Sequence, residues 1–302
     1  MTPLIHTYPV VVFGEILWDI LPSGAVPGGA CMNVAYHLRR LGADPLLITR
    51  VGLDDEGKRL IRLMEAHDIS TDYFQVDFEL PTGKVHAIAA GNNEYTYDII
   101  KPVAWDNISW DRSFESLLSA AGYFVFGSLS TRSQVSRDTL FRLLEMAKYK
   151  VLDINLRAPH YTRRILERLL KGVDLLKLNQ EELELLTGWF ISYKSEEDRI
   201  YALQDRFNIP KIVVTKGANG AVFNVEGKIF MDPGFHVHVV DTIGSGDAFL
   251  AALMTRLLQE KSPAEALKYA CAVGALIASY RGPCPDYAVE EIDELTKTGT
   301  SS

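Results

Sequence analysis

Cysteine is scarce in this chain. Only Cys31, Cys271 and Cys284 occur in 302 residues, and no two form a Cys-x-x-Cys pair. That usage fits a reducing, cytoplasmic setting and no structural zinc. Long apolar runs are missing too: none reaches the ~18 uninterrupted residues of a membrane span. Met1–Pro9 has neither a basic start nor a long apolar stretch, so no signal peptide is expected. Nor is there an excess of positive charge. Lys plus Arg number 31 against 39 Asp plus Glu, a net charge of −8, which argues against nucleic acid or an anionic membrane as partner. Phosphate ligands stay open, because backbone amides bind them locally. No internal repeat is evident.

Two nucleotide-binding signatures are incomplete. Gly52-x4-Gly57-Lys58 matches much of a P-loop, but Arg59 stands where a Ser or Thr must hold magnesium. Asp54, Asp55 and Glu56 would also repel the phosphates such a loop cradles, so this stretch reads as a structural turn before a helix. Gly244-x-Gly246 lacks the third glycine of a dinucleotide fingerprint and lies far from the first βα unit, which disfavours an oxidoreductase.

What is present is alternation. Val10–Phe13, Leu46–Val51, Tyr123–Phe126, Val151–Ile154, Leu175–Leu178 and Lys211–Thr215 are short apolar runs of strand length. Amphipathic segments lie between most of them, among them Asn33–Leu41, Gly57–His67, Arg137–Lys148 and Thr162–Lys171. The pattern predicts an α/β fold, a mainly parallel sheet with helices on both faces. Between Asp72 and Ile100 the rhythm changes to alternating strands. Val85–Ala89 and Glu94–Ile99 flank Gly91-Asn92-Asn93, a hairpin signal. This stretch reads as a β insertion leaving the main sheet, with a second piece from Ile16–Leu21. The polar tail Thr296–Ser302 is expected to fray.

Residues 241–247 carry the most information. His236–Val240 alternates like a strand, Gly244 and Gly246 permit a tight turn, and Ala248–Leu258 is helical in pattern. Amides at a helix start lack internal partners and attract anions. Asp247 in that first turn conflicts with anion binding, unless an anionic base must deprotonate a hydroxyl beside a phosphate. A plain helix-favouring aspartate is the simpler alternative. After the first predicted strand, Asp19, the Gly28-Gly29 turn and Asn33 fall within reach of one pocket; carboxylate plus carboxamide suits a polyol. A turn residue and a helix cap would equally explain them locally. Asn179 with Glu182 three residues on forms a capping-box variant.

Asp241-Thr242-Ile243-Gly244-Ser245-Gly246-Asp247 resembles the C-terminal motif of the ribokinase-like (PfkB) sugar kinases, with Ser245 where Ala is usual. Val51-Gly52-Leu53-Asp54-Asp55-Glu56-Gly57 resembles the family's N-terminal signature. Gly14-Glu15-x-x-x-Asp19, with Pro22 after it, is closer to the fructokinase members than to ribokinases or adenosine kinases. The resemblance spans about residues 8–290.

It implies a ribokinase-like three-layer sandwich, one kinase domain over 1–302 with a β lid built from about 15–22 and 72–101. It implies an ATP-dependent kinase acting on a primary sugar hydroxyl, fructose above all. A ribose, nucleoside or 2-keto-3-deoxygluconate kinase, or a silent sugar-binding protein, are the alternatives. By the same resemblance Asp247 is the base, and Gly244, Ser245 and Gly246 cradle the phosphoryl group. Asp19, Gly28, Gly29, Asn33 and Arg157 bind substrate; Arg157 belongs to Asp153-x-Asn155-x-Arg157. Asn179, Thr215, Lys216, Gly217, Gly220 and Thr242 line the nucleotide site. Glu182 acts on Mg²⁺ through water, and Asp153 either orders the hydrated metal or braces the loop in a buried ion pair. Lys216 touches a phosphate or is a plain surface lysine. The Ala-rich Ala272–Tyr280 lets adenine approach, and a monovalent cation such as K⁺ binds near Asp241–Ile243. Sugar and ATP are the expected partners, with a homodimer through the lid a further one.

Overall fold

Val10–Phe13 forms β1, and its alternate side chains part to two faces. Val10 and Val12 join one core cluster, Val11 and Phe13 the other. That is the period of a strand buried on both sides. The computed structural model describes residues 9–21, 24–91, 94–190 and 195–298.

After β1 come β2 (Leu17–Leu21), β3 (Gly24–Gly28), α1 (Ala30–Arg40), β4 (Pro45–Gly52), α2 (Asp55–Ala66) and β5 (Phe74–Asp77). Then follow β6 (Gly83–Gly91), β7 (Glu94–Ile99), α3 (Ser113–Ala120), β8 (Tyr123–Gly127), α4 (Gln134–Met146), β9 (Lys150–Asp153) and α5 (Arg163–Leu169). The C-terminal half adds β10 (Leu175–Asn179), α6 (Gln180–Gly188), α7 (Glu196–Phe207), β11 (Lys211–Thr215), β12 (Ala221–Val225) and β13 (Lys228–Asp232). It closes with α8 (Ser245–Leu258), α9 (Pro263–Ala278) and α10 (Val289–Thr298).

Nine strands form the main sheet in the order β13-β12-β11-β10-β9-β8-β1-β4-β5. It is parallel except at the β11-β12-β13 edge. Helices α1, α2, α8, α9 and α10 share the core of one face, and α3 to α7 that of the other, giving three layers. From β1 the chain moves outward to β4 and β5, then returns to β8 on the other side of β1. Such a reversal of strand order opens a crevice at the carboxyl ends of the strands. Helix α8 packs between α1 and α9 and buries every residue from Ala248 to Thr255. That accounts for its nearly uniform apolar sequence.

A second sheet, β3-β2-β6-β7, stands apart from the first. β2 runs antiparallel to β3 and parallel to β6, and β6 antiparallel to β7. Its content differs from the expected 15–22 plus 72–101 in two ways. Within the second range, β5 joins the main sheet, parallel to β4 with Thr49 opposite Phe74. It is tied there by Arg50, whose Nε lies 2.8 Å from Asp77 Oδ2. In exchange, Gly24–Gly28, outside both ranges, is an edge strand; Pro27 is tolerated there because an edge needs no donor on its open side.

The expected strand His236–Val240 is absent. This segment is irregular, and the amides of Val240 and Asp241 donate to the Ala278 carbonyl at 2.9 and 3.2 Å rather than to a neighbouring strand. Its alternating valines line a groove instead of a ladder. Thr296–Thr298, expected to fray, belong to α10. Val51–Lys58 is the structural turn expected: Asp54 caps α2 by accepting from Gly57 N at 2.8 Å and binds Thr82 N at 2.8 Å. Met1–Tyr8, Pro22, Asn92, Asn93 and residues 299–302 lie outside the described residues. Among the described residues no helix is long and apolar enough to cross a membrane.

Candidate active site

The carboxyl ends of the main-sheet strands enclose a cavity of about 530 Å³. Glu15 enters it after β1, Leu129 after β8, Asn155 and Arg157 after β9, Asn179 at the end of β10 and Glu182 from α6. Asp19 and Leu17 come from β2, Val85 and Ile99 from β6 and β7, so the second sheet covers the cavity with one carboxylate and three apolar side chains. From below, the start of α8 contributes Gly244, Gly246 and Asp247.

A second hollow of about 220 Å³ adjoins it. Thr215, Thr242 and Gly246 border both. Its walls are Gly217, Ala218 and Gly220 on one side and Val237, Val239, Phe249, Gly274, Ala275 and Ala278 on others. Small and apolar residues at close quarters make a slot for a flat, weakly polar ring.

Asp247 lines the larger cavity and follows Gly246, which borders both hollows. Its Oδ2 accepts from Asn33 Nδ2 at 2.8 Å. Burial raises its carboxyl to about 7, Asp153 adds to this, and Lys177, Asn33 and Arg157 oppose it. Asp19 is pushed up to about 6, again by burial, against the pull of Arg157. Glu15, also raised by burial, is 2% exposed and receives the Cys31 thiol at 3.7 Å. Carboxyls raised by burial and gathered around one cavity mark a candidate functional site.

The turn before α8 requires glycine at 244. Its φ is +78°, and an added Cβ would lie 2.6 Å from the Pro283 Cα. Gly29, at φ +107°, caps α1 and leaves no room beside the Glu15 carbonyl. Gly28 faces Asp19 closely enough that any side chain would overlap that carboxylate. These glycines let the backbone approach whatever occupies the cavity.

A model of the pfkB family carbohydrate kinases matches residues 24–289. The chain belongs to this family. A fructokinase of Klebsiella pneumoniae is 30% identical, over 90% of this chain and 93% of its own. A fructokinase of Solanum tuberosum is 28% identical over 93% of each. The solved fructokinase of Vibrio cholerae O395, in its fructose, ADP and calcium ion bound form, is 25% identical with a TM-score of 0.82, covering 96% of this chain and 99% of its own. The ribokinase-like fold expected from the sequence is therefore the fold of this pfkB member.

In this pfkB kinase most of the expected site residues do converge. Asp19, Gly29, Asn33, Arg157, Asn179, Glu182, Thr215, Thr242, Gly244, Gly246 and Asp247 line the first cavity; Gly217, Gly220 and Ser245 line the second. Gly28 lies behind Asp19. Asn179 and Glu182 form a full capping box, with Asn179 Oδ1 accepting from Glu182 N at 2.8 Å and Glu182 Oε2 from Asn179 N at 2.9 Å. The other Glu182 oxygen accepts from Leu156 N at 2.7 Å. Both carboxylate oxygens are thus held by backbone, which leaves lone pairs for a metal-bound water but no open carboxylate for direct ligation. No group of three or more His, Cys, Asp or Glu is poised around a metal position among the described residues.

Three of the expected residues have partners within the protein. Lys216 is not among the residues lining either hollow, and its Nζ lies 3.3 Å from Glu196 on α7. Ser245 directs both its amide and its hydroxyl to the Thr242 carbonyl, at 3.3 and 2.8 Å, so the amides free to cradle an anion are those that follow it in the first turn. Of the two roles open to Asp153, the buried ion pair is the one formed: Lys177 Nζ donates to both its oxygens at 2.8 and 3.0 Å.

Lys177 was not singled out from the sequence, and Glu15 and Asn155 were named only as members of motifs, without a role of their own. Lys177 carried a signal, a lone ammonium within Leu175-Leu176-Lys177-Leu178. A buried strand admits a charge only with a partner. Asn155 adopts φ +36°, a left-handed conformation that asparagine tolerates and sequence patterns do not reveal.

Proposed function

We propose that the protein transfers the terminal phosphoryl group of ATP to the primary hydroxyl of a monosaccharide, and that its acceptor is fructose, giving fructose 6-phosphate. The observation that carries this reading is the position of Asp247 in the larger cavity, hydrogen-bonded to Asn33 and next in the chain to Gly246, which borders both hollows. The fructokinases among its relatives add support for the sugar, and the ADP, fructose and calcium named in the Vibrio cholerae structure add support for nucleotide and metal.

In this reading Asp19, Gly28, Gly29 and Asn33 hold the sugar, with Arg157 at the rim. The hydroxyl oxygen attacks the terminal phosphorus, its proton passes to Asp247, and ADP leaves. A base held near 7 is well matched to proton transfer at neutral pH. Free amides of the first α8 turn lie where charge develops on the transferring group. Thr215, Gly217, Gly220 and Thr242 border the nucleotide, and the adenine lies in the apolar slot. Glu182 and Asn179 would orient the water of a bound magnesium ion, which would supply positive charge to offset the phosphates. The β2, β3, β6 and β7 sheet serves as a lid that excludes competing water.

A carboxylated acceptor such as 2-keto-3-deoxygluconate is the second reading, favoured by the Arg157 guanidinium facing the same cavity. An ATP-dependent phosphorylation panel over fructose, ribose, a nucleoside and 2-keto-3-deoxygluconate separates the two. Highest kcat/KM with fructose is expected. Preference for another acceptor overturns the sugar assignment, and sugar binding without turnover on any acceptor overturns the kinase reading.

A further inference from the structure

Lys177 is a buried cation for which the transfer step as described has no role. It lies on β10 directly opposite Asp153 of β9 in the parallel register. The two side chains are 9% and 5% exposed. Around them the strands are apolar: Leu175, Leu176 and Leu178 on one, Val151 and Leu152 on the other, all fully buried. For stability alone, an apolar pair of similar volume would serve as well or better at such a place. The Lys177 ammonium also reaches past its partner. It lines the larger cavity, and lies 3.2 Å from where a Cβ on Gly246 would stand, one residue before Asp247.

We propose that Lys177 and Asp153 are a pair of positioning charges that set the ionisation of Asp247, Lys177 drawing its proton off and Asp153 opposing. The charged and titratable groups facing Asp247 are these two, Arg157 from the loop after β9, Cys31 on α1 and Cys284 in the segment after α9. Asn33 on α1 supplies the direct hydrogen bond. Both thiols are raised by burial and stay neutral, so they do not compete. Lys177 keeps its proton: burial alone would lower it, but Asp153, Asp247 and Glu182 together outweigh burial. Every charge in the set except Arg157 is fixed by packing.

The inference rests on the kinase reading only in its kinetic arm. The test uses the full chain labelled with carboxyl-¹³C aspartate, in which the Asp247 resonance is assigned by its loss in Asp247→Asn. Its titration is followed without substrate in Lys177→Met, Asp153→Asn and the double variant. The expected result is opposite shifts. Lys177→Met raises the Asp247 midpoint by about one unit or more, as removal of a neighbouring opposite charge does. Asp153→Asn lowers it, and the double variant returns towards wild type. The acid limb of kcat/KM moves with each midpoint. Shifts of the same sign, or none, would mean that the pair merely braces the two strands, and would overturn the inference. Should Lys177→Met fail to fold, Asp153→Asn decides by itself: a lowered midpoint supports the inference and an unchanged or raised one sinks it. If the midpoints shift as expected while the acid limb ignores them, the pair stands and Asp247 is not the base.

Discussion

Asn33 Nδ2 donates a 2.8 Å hydrogen bond to Asp247 Oδ2 across 214 residues of chain. One bond thereby joins the first turns of α1 and α8, both of which line the larger cavity. Cys284 contacts the other side of the same carboxamide, with its Sγ 3.4 Å from Asn33 Oδ1. That fixes which way the amide faces and presents its N–H to the carboxylate.

Replacing Asp247 by Asn removes the proton acceptor while keeping the shape. Turnover should fall by a factor of about 10²–10⁴, the usual worth of a general base. Sugar binding by calorimetry should stay within severalfold. A variant retaining a tenth of wild-type kcat would remove Asp247 from the mechanism.

The pH profile follows from the same carboxyl. Burial raises it to about 7, so kcat/KM should decline as pH falls through that value. Stability runs the other way. A folded-state pKa above the unfolded one means the native protein binds the extra proton, so the contribution is fully present below ~4 and lost as pH rises through about 7. Asp247→Asn should therefore melt higher than wild type at pH 8, with the gap closing towards pH 4. Equal melting curves at both pH values would contradict the shift.

Gly244 and Ser245 should respond differently. Gly244→Ala forces a Cβ at φ +78° into Pro283. The backbone strain alone is worth about 1–3 kcal/mol, and displacement of the turn should lower kcat more than tenfold. Ser245→Ala loses a hydroxyl bond to Thr242 O on the exposed side of the turn. It should leave kcat and the melting temperature nearly unchanged. A reversal of this order, read by steady-state kinetics and thermal melts, would show that the turn geometry is misassigned.

Lys216→Ala tests the nucleotide slot. Its ammonium belongs to Glu196, and a partly exposed pair of this kind contributes about 0–1 kcal/mol. The KM for ATP should change less than about threefold; a tenfold rise would place Lys216 on a phosphate after all.

Glu182→Ala should cost more. Two backbone amides, of Leu156 and Asn179, lose their acceptor, each worth about 1–3 kcal/mol when left buried and unsatisfied. Melting temperature should drop, and the magnesium concentration for half-maximal rate should rise. Unchanged magnesium dependence in a folded variant would confine Glu182 to capping.

Local signals reached far into this fold. β1 and β11 are bounded as their apolar runs predict, because the interior of a strand buried on both faces needs consecutive apolar side chains. Where two partners compete for one extended segment, the runs were silent. β5 reads like a lid strand but pairs with β4, and His236–Val240 alternates like a strand yet bonds to the end of α9. Such outcomes depend on which neighbour is at hand, and a sequence window does not contain the neighbour.

The same division holds at the site. Residue type and spacing by themselves determined the glycine turn, its aspartate and the capping box Asn179–Glu182, because each rests on contacts within a few residues. Only the tertiary structure decided which charges meet. Asp153 and Lys177 lie 24 positions apart, Lys216 and Glu196 lie 20 apart, and Asn33 meets Asp247 from the opposite end of the chain. Electrostatic partnership depends on distance through space and on exclusion of water, and packing the two helical layers on the sheet is what sets both.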